Sequence, residues 1–160
     1  MSKHVVVIGG GVAGLEAAGR LSKAGFEVSL LEKDNKTGGH LNDWYKLFPD
    51  RRNSDEVKAY LYGITLHDGI KLLTNTTIEK ISGNKTHFSS ITNKGKELVA
   101  DAIIVATGFD LFKRARKEEY GYGIYDNVIT SADLEKMFSE GKIILSNGKV
   151  PATIGFVHCV

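Results

Sequence analysis

Three observations predict a three-layer α/β fold with a mostly parallel sheet for this chain of 160 residues. Continuous apolar runs, rather than alternating ones, occur at residues 4 to 8 ("HVVVI") and 101 to 108 ("DAIIVATG"), the pattern of strands buried on both faces of a parallel sheet. A helical stretch links the first run to "FEVSLLE", residues 26 to 32, so a βαβ unit is complete within the first 32 residues. From Thr76 to Ala100 the texture changes to short alternating pieces, "TTIEKIS", "THFSSIT" and "KELVA", separated by "GNK" and "NKGK". That is an antiparallel hairpin or meander insert.

The remaining elements follow in chain order. "GGGVAG" turns the first strand into a helix from about Val12 to Ala24, which Gly25 stops. After the "EKDNKTGGH" loop and the aromatic-rich "LNDWYKLFPD", a second helix is expected from about Asp55 to His67, with Ser54 as N-cap and Val57, Leu61 and Ile64 along one face. "IKLLTN", from Ile70, reads as a third parallel strand. Beyond Phe109, "LFKRARKEEYGYGIYDN" is charged and then rich in Gly and Tyr, the composition of a long ordered loop or arm. "TSADLEKMFSEG" is a short helix with Thr130 as N-cap, Asp133 at N3 and a stop at Gly141. "ATIGFVHCV" reads as a strand with nothing after it, as in a piece truncated from a longer architecture. The organisation expected is a domain over residues 1–110, including the insert at 76–100, followed by a C-terminal extension over 111–160.

At this length, with 42% hydrophobic residues, one core of ordinary size can be buried but not two full domains. The 21 basic and 19 acidic residues are spread along the chain, so no face is built for nucleic acid. No apolar stretch is long enough to span a bilayer. Cys159 is the single cysteine, which excludes an internal disulfide and fits a reducing cytoplasm. The histidines at 4, 40, 67, 87 and 158 form no i, i+4 pair, so no metal site is expected.

The glycines of "VVVIGGGVAGLEAA" carry the chemistry. Gly9 makes the tight turn out of the strand, Gly11 lets backbone approach a pyrophosphate, and Gly14 lets the helix lie against the strand. Val12 and Ala13 open the helix, whose unpaired N–H groups and positive dipole end face that phosphate. Glu32, 18 residues after Gly14 and at the end of the second strand, is placed to accept hydrogen bonds from the adenosine ribose. Its charge disfavours a 2′-phosphate and hence NADP. Lys33 beside it is either a phosphate contact or a surface lysine. The context of strand, glycine turn, helix and acid identifies a Rossmann-like FAD/NAD(P)-binding domain.

Further marks resemble the two-dinucleotide-binding-domain flavoproteins. Gly38-Gly39 and "ATG", residues 106 to 108, resemble that superfamily's second and third dinucleotide contacts, and the hairpin insert lies where the superfamily has one. The resemblance implies FAD in preference to NAD, with Gly39, Ala106, Thr107 and Gly108 on the path toward the flavin and a backbone pair near Ile78 against the adenine. His40, directly after Gly39, either borders the flavin or faces solvent. The second half, "ATGFD", "EEYGYGIYDNVITSADLEKMFSEGKI" and "GKVPATIGFVHCV", resembles the flavin-carrying (A) subunits of heterodisulfide reductases and their relatives in sulfur metabolism. That resemblance covers essentially the whole chain, and implies electron relay between flavin and iron–sulfur or disulfide partners.

The sequence also departs from that family. Its middle has no cysteine, no C-x₄-C follows the first helix, no Gly-Asp motif grips a ribityl chain, and one thiolate at Cys159 cannot hold a [4Fe–4S] cluster. The chain therefore offers no catalytic acid, base or nucleophile, and its oxidoreductase activity is expected only in a longer context. Trp44, Tyr45 and Phe48 either cover an isoalloxazine ring or pin their loop to the core. Tyr120, Tyr122 and Tyr125 form a contact surface for a partner or pack on their own domain. The basic run Lys113, Arg114, Arg116 and Lys117 reads as a solvated turn. The alternatives are an NAD-binding domain and a non-catalytic assembly module docking on redox proteins. An exposed last strand would also allow homo-oligomers by edge pairing.

Overall fold

The computed structural model describes residues 3–85 and 87–158. Its centre is a four-stranded sheet in the order β5-β2-β1-β9, with β1 His4–Ile8, β2 Glu27–Leu31, β5 Ile70–Leu73 and β9 Ala102–Val105, all parallel. Val5, Val6 and Val7 of β1 are all buried, because β1 has a strand on each side and a layer over each face.

Parallel neighbours need a crossover, and the chain supplies three. Helix α1, Val12–Lys23, joins β1 to β2, and α2, Ser54–Ile64, lies between β2 and β5. The two helices pack closely: a Cβ added at Gly19 of α1 would come within 2.8 Å of Ile64 Cγ2 of α2. The third crossover, from β5 to β9, is the meander of β6 Ile78–Asn84, β7 His87–Thr92 and β8 Glu97–Ala100. It closes on the sheet through Val6, Leu31, Leu98 and Ala100, with Ile8, Leu73, Ile78 and Ile103 packed around them. Helices, parallel sheet and meander are the three layers.

His4 ties the meander to the sheet at the start of β1. Its backbone N–H donates to Asp101 Oδ2 at 2.8 Å, and its Nδ1 donates to the Val99 carbonyl at 2.6 Å. Because Nδ1 then carries the proton, the Ser29 hydroxyl donates to Nε2 at 2.9 Å.

The chain divides into two compact units, one of residues 1–42 and 54–109, the other of residues 43–53 and the segment from Asp110 onward. The second unit holds a small antiparallel pair, β3 Lys46–Leu47 with β4 Arg52–Asn53, two short 3₁₀ turns, Arg114–Arg116 and Glu118–Tyr120, and helix α3, Ser131–Ser139. Thr130 and Asp133 form the predicted capping box: Thr130 Oγ1 accepts from the Asp133 N–H at 3.2 Å, and Asp133 Oδ2 accepts from the Thr130 N–H at 2.9 Å. The Arg114 guanidinium stacks over the Tyr122 ring at 4.4 Å and reaches Asp133 Oδ1 at 3.7 Å. Partial burial opposes ionisation of Asp133, but hydrogen bonds from Thr130, the Arg114 charge and the Tyr122 hydroxyl outweigh it and hold the carboxyl below its ordinary value of 3.8.

Three sequence expectations are corrected. The terminal strand is absent: residues 152–158 are without strand structure, and Ile154, Phe156 and Val157 are exposed, since a strand needs a partner edge and none pairs with this segment among the described residues. Cys159 lies outside the described residues. The second helix ends at Ile64 rather than His67, closing in turns in which Thr65 and His67 donate back to Tyr62 and Ile64. Phe48 pins nothing, being 97% exposed. Tyr45 is stacked on Phe138 at 6.1 Å, with its N–H donating to Glu135 Oε2 at 2.9 Å. The segment at 43–53 forms a hairpin-like pair that its polar, Pro-containing sequence does not announce.

Thr130→Ala should lower the stability of the second unit by about 1 kcal/mol. Because the Asp133 carboxyl is held below 3.8, its stabilising contribution is complete above that pH and is lost as pH falls through its lowered value. Thermal melts between pH 5 and pH 2 should therefore show a fall in the wild type that is smaller in Asp133→Asn.

Candidate functional site

The candidate residues all follow the carboxyl ends of parallel strands. Ile8 ends β1 and leads into Gly9, Leu31 of β2 leads into Glu32, and Val105 of β9 leads into Ala106. Open α/β sheets bind ligands at this edge.

Gly9 continues the sheet for one more bond, its N–H donating to the Leu31 carbonyl at 2.8 Å, and then turns at φ +108°, a conformation that only glycine adopts at low cost. A side chain there would also run into the Ala106 carbonyl. Ala106 is held in turn by its own N–H, which donates to the Ile8 carbonyl at 2.8 Å. Gly14, in the first turn of α1, lies directly on the Gly9 carbonyl, and a Cβ would overlap that oxygen. Gly11 is different. Its backbone is ordinary extended chain at φ −74°, and a Cβ built on it meets nothing within 4 Å.

That open space lies over an uncapped helix start. Gly11 is the N-cap of α1 and makes no side-chain cap, the first turn has no acidic residue, and Val12 and Ala13 are exposed. The first N–H groups of the helix thus face outward with the positive end of its dipole uncompensated. An anionic group fits here by charge, by hydrogen bonding and by available room.

A second pair of glycines closes one side. Gly38 N–H donates to the Gly10 carbonyl at 2.8 Å, Gly38 bridges to Gly11 as a single parallel β-pair, and Gly39 passes so near that its Cβ would stand 3.3 Å from Gly11 Cα. Glu32, 5% exposed, holds this arrangement together. Its Oε2 accepts from the Gly10 N–H and its Oε1 from the Asp34 N–H, each at 2.9 Å. An ionised carboxylate has about four acceptor positions, so two remain for hydroxyl groups of a ligand. Lys33 is exposed beside it.

On the opposite flank, Thr107 and Gly108 are exposed after Ala106. His40 Nε2 donates to the Phe109 carbonyl at 2.8 Å and its ring lies 4.8 Å from the Phe109 ring, so His40 links the Gly38-Gly39 loop to the chain leaving β9. Ile78 starts β6 and is half-buried in the core between meander and sheet. The structure therefore gathers Gly9, Gly11, Val12, Ala13, Gly14, Glu32, Gly39, His40, Ala106, Thr107 and Gly108 around one strand edge.

Two residues of the loop escaped the sequence reading. Thr37 is 2% exposed, packs its methyl toward Gly10, and accepts at its carbonyl from the Tyr62 hydroxyl at 3.3 Å and from Asn42 Nδ2 at 3.0 Å. Asn42 wraps Gly38 closely enough that a Cβ would meet its amide at 2.8 Å. Nothing in "DNKTGGHLN" distinguishes them from ordinary loop polars. Among the described residues no group of three His, Cys, Asp or Glu could hold a metal ion, and no helix is long and apolar enough to cross a membrane.

Residues 1–133 match the pyridine nucleotide-disulphide oxidoreductases. The chain belongs to that family. It is 27% identical to the A subunit of the ferredoxin:CoB-CoM heterodisulfide reductase of Methanosarcina mazei, over 99% of this chain and 31% of that protein. It is 26% identical to one of two iron-sulfur A subunits of the CoB–CoM heterodisulfide reductase of Methanopyrus kandleri, over 100% of this chain and 38% of that protein. The chain thus spans about a third of these relatives, and the alignments run over 246 positions, more than the chain has residues. Among solved structures, the L-proline dehydrogenase of P. horikoshii is 27% identical with a TM-score of 0.60, over 68% of this chain and 23% of that one. The thioredoxin reductase of Lactococcus lactis shares the fold at 24% identity and a TM-score of 0.57, over 76% of this chain and 41% of that one. The chain is an oxidoreductase domain of the pyridine nucleotide-disulphide family, homologous to the A subunits of heterodisulfide reductases.

The two glycines separate fold from ligand. Gly14→Ala should cost about 3 kcal/mol or more, because only backbone stands in the way of its Cβ. Gly11→Ala should cost within about 1 kcal/mol, the difference between the two residues at an N-cap. Urea unfolding of both variants checks the contrast.

Proposed function

We propose that residues 1–110 form an FAD-binding domain and that residues 111–160 extend it. In this reading Gly9, Gly11, Val12, Ala13 and Gly14 hold the pyrophosphate, and Glu32 takes the adenosine ribose. Lys33 and Ile78 lie along the adenosine half, and Gly39, His40, Ala106, Thr107 and Gly108 along the path toward the flavin. The observation that carries it is the space over Gly11: a glycine at an unstrained φ, where an added Cβ would meet nothing within 4 Å, beside an uncapped helix N-terminus. Folding does not require glycine there, whereas the close approach of a dinucleotide does. Members of the family bind FAD, and the charge of Glu32 disfavours NADP.

The chemistry that FAD supplies when bound is two-electron transfer at its N5. The chain's own residues position and polarise. The backbone N–H groups of α1 neutralise phosphate charge, the Glu32 carboxylate fixes the ribose while anchoring Gly10, and the Gly38-Gly39 turn closes the side of the cradle. No side chain acts as acid, base or nucleophile. In the longer protein to which the relatives correspond, the domain relays electrons between flavin and iron–sulfur or disulfide partners, within a cytoplasmic assembly.

The test is the visible spectrum of the purified chain, with identification by mass of any small molecule released on unfolding. FAD should be released from the wild type. Gly11→Val should stay folded but lose FAD. Glu32→Ala should lose both affinity and stability, because it also releases the Gly10 and Asp34 N–H groups, at about 1–3 kcal/mol for each buried group left unpaired. A wild-type chain that takes up no added FAD would overturn the reading.

A further inference from the structure

A cavity of about 290 Å³, none of whose lining residues belongs to the glycine loop, opens between the outer strand β5 and the turn joining β7 to β8. It is lined by Leu72, Leu73, Thr74, Thr76, Thr92, Lys94 and Lys96, with no acid and no aromatic ring. Its size is just below the range of about 300–1,000 Å³ usual for small-molecule pockets.

The walls are firmly built. Lys96 N–H donates to Thr92 Oγ1 at 3.1 Å, the Thr92 N–H to the Lys96 carbonyl at 3.0 Å, and the Gly95 N–H to the Thr92 carbonyl at 2.8 Å, so the β7–β8 turn is a closed loop. Asn93 joins that turn to the residue preceding β6: its N–H donates to the Thr77 carbonyl and its Oδ1 accepts from the Thr77 N–H, each at 3.1 Å. Thr76 and Thr92 are 5% and 1% exposed.

Two lysines, Lys94 and Lys96, line this cavity. Lys94 Nζ donates to the Thr74 carbonyl at 3.0 Å and to Thr76 Oγ1 at 3.2 Å, which leaves one of its three donors free. A third lysine, Lys71 on β5, is close enough to Lys96 that the proximity of its ammonium lowers the Lys96 pKa. Among the described residues no carboxylate is within ion-pair distance of Lys71, Lys94 or Lys96. The neighbouring acid in sequence, Glu97, accepts from the Ser89 hydroxyl instead.

Like charges brought together without a counter-charge gain nothing for folding, and a bound anion would relieve them. We propose that the cavity lined by Thr74, Thr76, Thr92, Lys94 and Lys96, with Lys71 beside Lys96, is a binding site for a compact phosphate-type anion, built from residues other than those of the glycine loop. The lysines supply charge-assisted donors on its open side and the threonine wall fixes its depth. The lack of an aromatic lining leaves nothing for a nucleobase to stack on, so the phosphate group itself is what is recognised.

Amide NMR of the full chain, titrated at constant ionic strength against a chloride balance, tests this with inorganic phosphate, pyrophosphate and glycerol 3-phosphate. Saturable shifts are expected at residues 74–76 and 92–96, and the double variant Lys71→Gln, Lys96→Gln should weaken binding about tenfold or more, the loss of a charged hydrogen bond. Lys23→Gln, on α1, should leave the affinity unchanged. Tighter binding of the phosphomonoester than of the inorganic ions would identify a small organic phosphate as the ligand, and the reverse order free phosphate or diphosphate. Shifts confined to residues 9–13, equal shifts with chloride, or unchanged affinity in the double variant would each overturn the proposal, and none of them bears on FAD binding.

Discussion

The structure depends on a backbone contact that admits no side chain. Gly14 of α1 rests on the Gly9 carbonyl, and Gly9 rests on the Ala106 carbonyl, so three strands of main chain are stacked where β1 ends, α1 begins and β9 leaves the sheet. Packing at van der Waals distance here sets the height of α1 above the sheet and the direction in which its first N–H groups point. It also places the chain after β9 beside the glycine turn, through the Ala106 N–H bonded to Ile8. A side chain at either glycine would lift the helix, and the cradle over Gly11 would lose its floor.

Glu32 converts that contact into a complete site wall. A buried carboxylate is costly unless its oxygens are satisfied, and both accept from backbone: Gly10 on the glycine turn and Asp34 on the following loop. The Glu32 main chain is occupied too, its carbonyl accepting from the Thr76 N–H and its own N–H donating to Leu73. One residue thereby fixes the ends of β1, β2 and β5 relative to each other. The charge that holds the loop would also repel a second negative group brought to this position, so local charge and loop geometry cannot be varied independently there.

The first unit was largely legible because its signals are local. The Val5–Val7 run, the glycine spacing and the acid at the end of β2 each state a physical requirement within a few residues, and the Thr130/Asp133 capping box of α3 is equally local. The alternation at 76–100 announces a meander, although the face it covers is decided by Leu98 and Ala100 meeting Val6 and Leu31 from distant parts of the chain. What escaped depends on tertiary partners. Thr37 and Asn42 are loop polars until Tyr62 of α2 and the turn at Gly38 surround them. The apolar "ATIGFV" segment has strand composition, yet strand is a property of a pair, and its side chains stay exposed. The 43–53 segment shows the reverse, pairing β3 with β4 without apolar alternation to predict it.

The distribution of groups also determines which part of an oxidoreductase this chain can be. The contacts around Gly9, Gly10 and Gly38 are made by backbone N–H, backbone carbonyl and the Glu32 carboxylate, and His40 has its Nε2–H committed to Phe109. Contacts of this kind fix backbone geometry rather than present a free acid or base. That division suits electron transfer, where the barrier depends on position and electrostatics more than on proton shuttling. It also accounts for a domain of this kind recurring within much longer relatives: the strand-edge cradle is built by contacts internal to the first unit, so it can be kept intact while substrate and partner specificity are supplied by other segments.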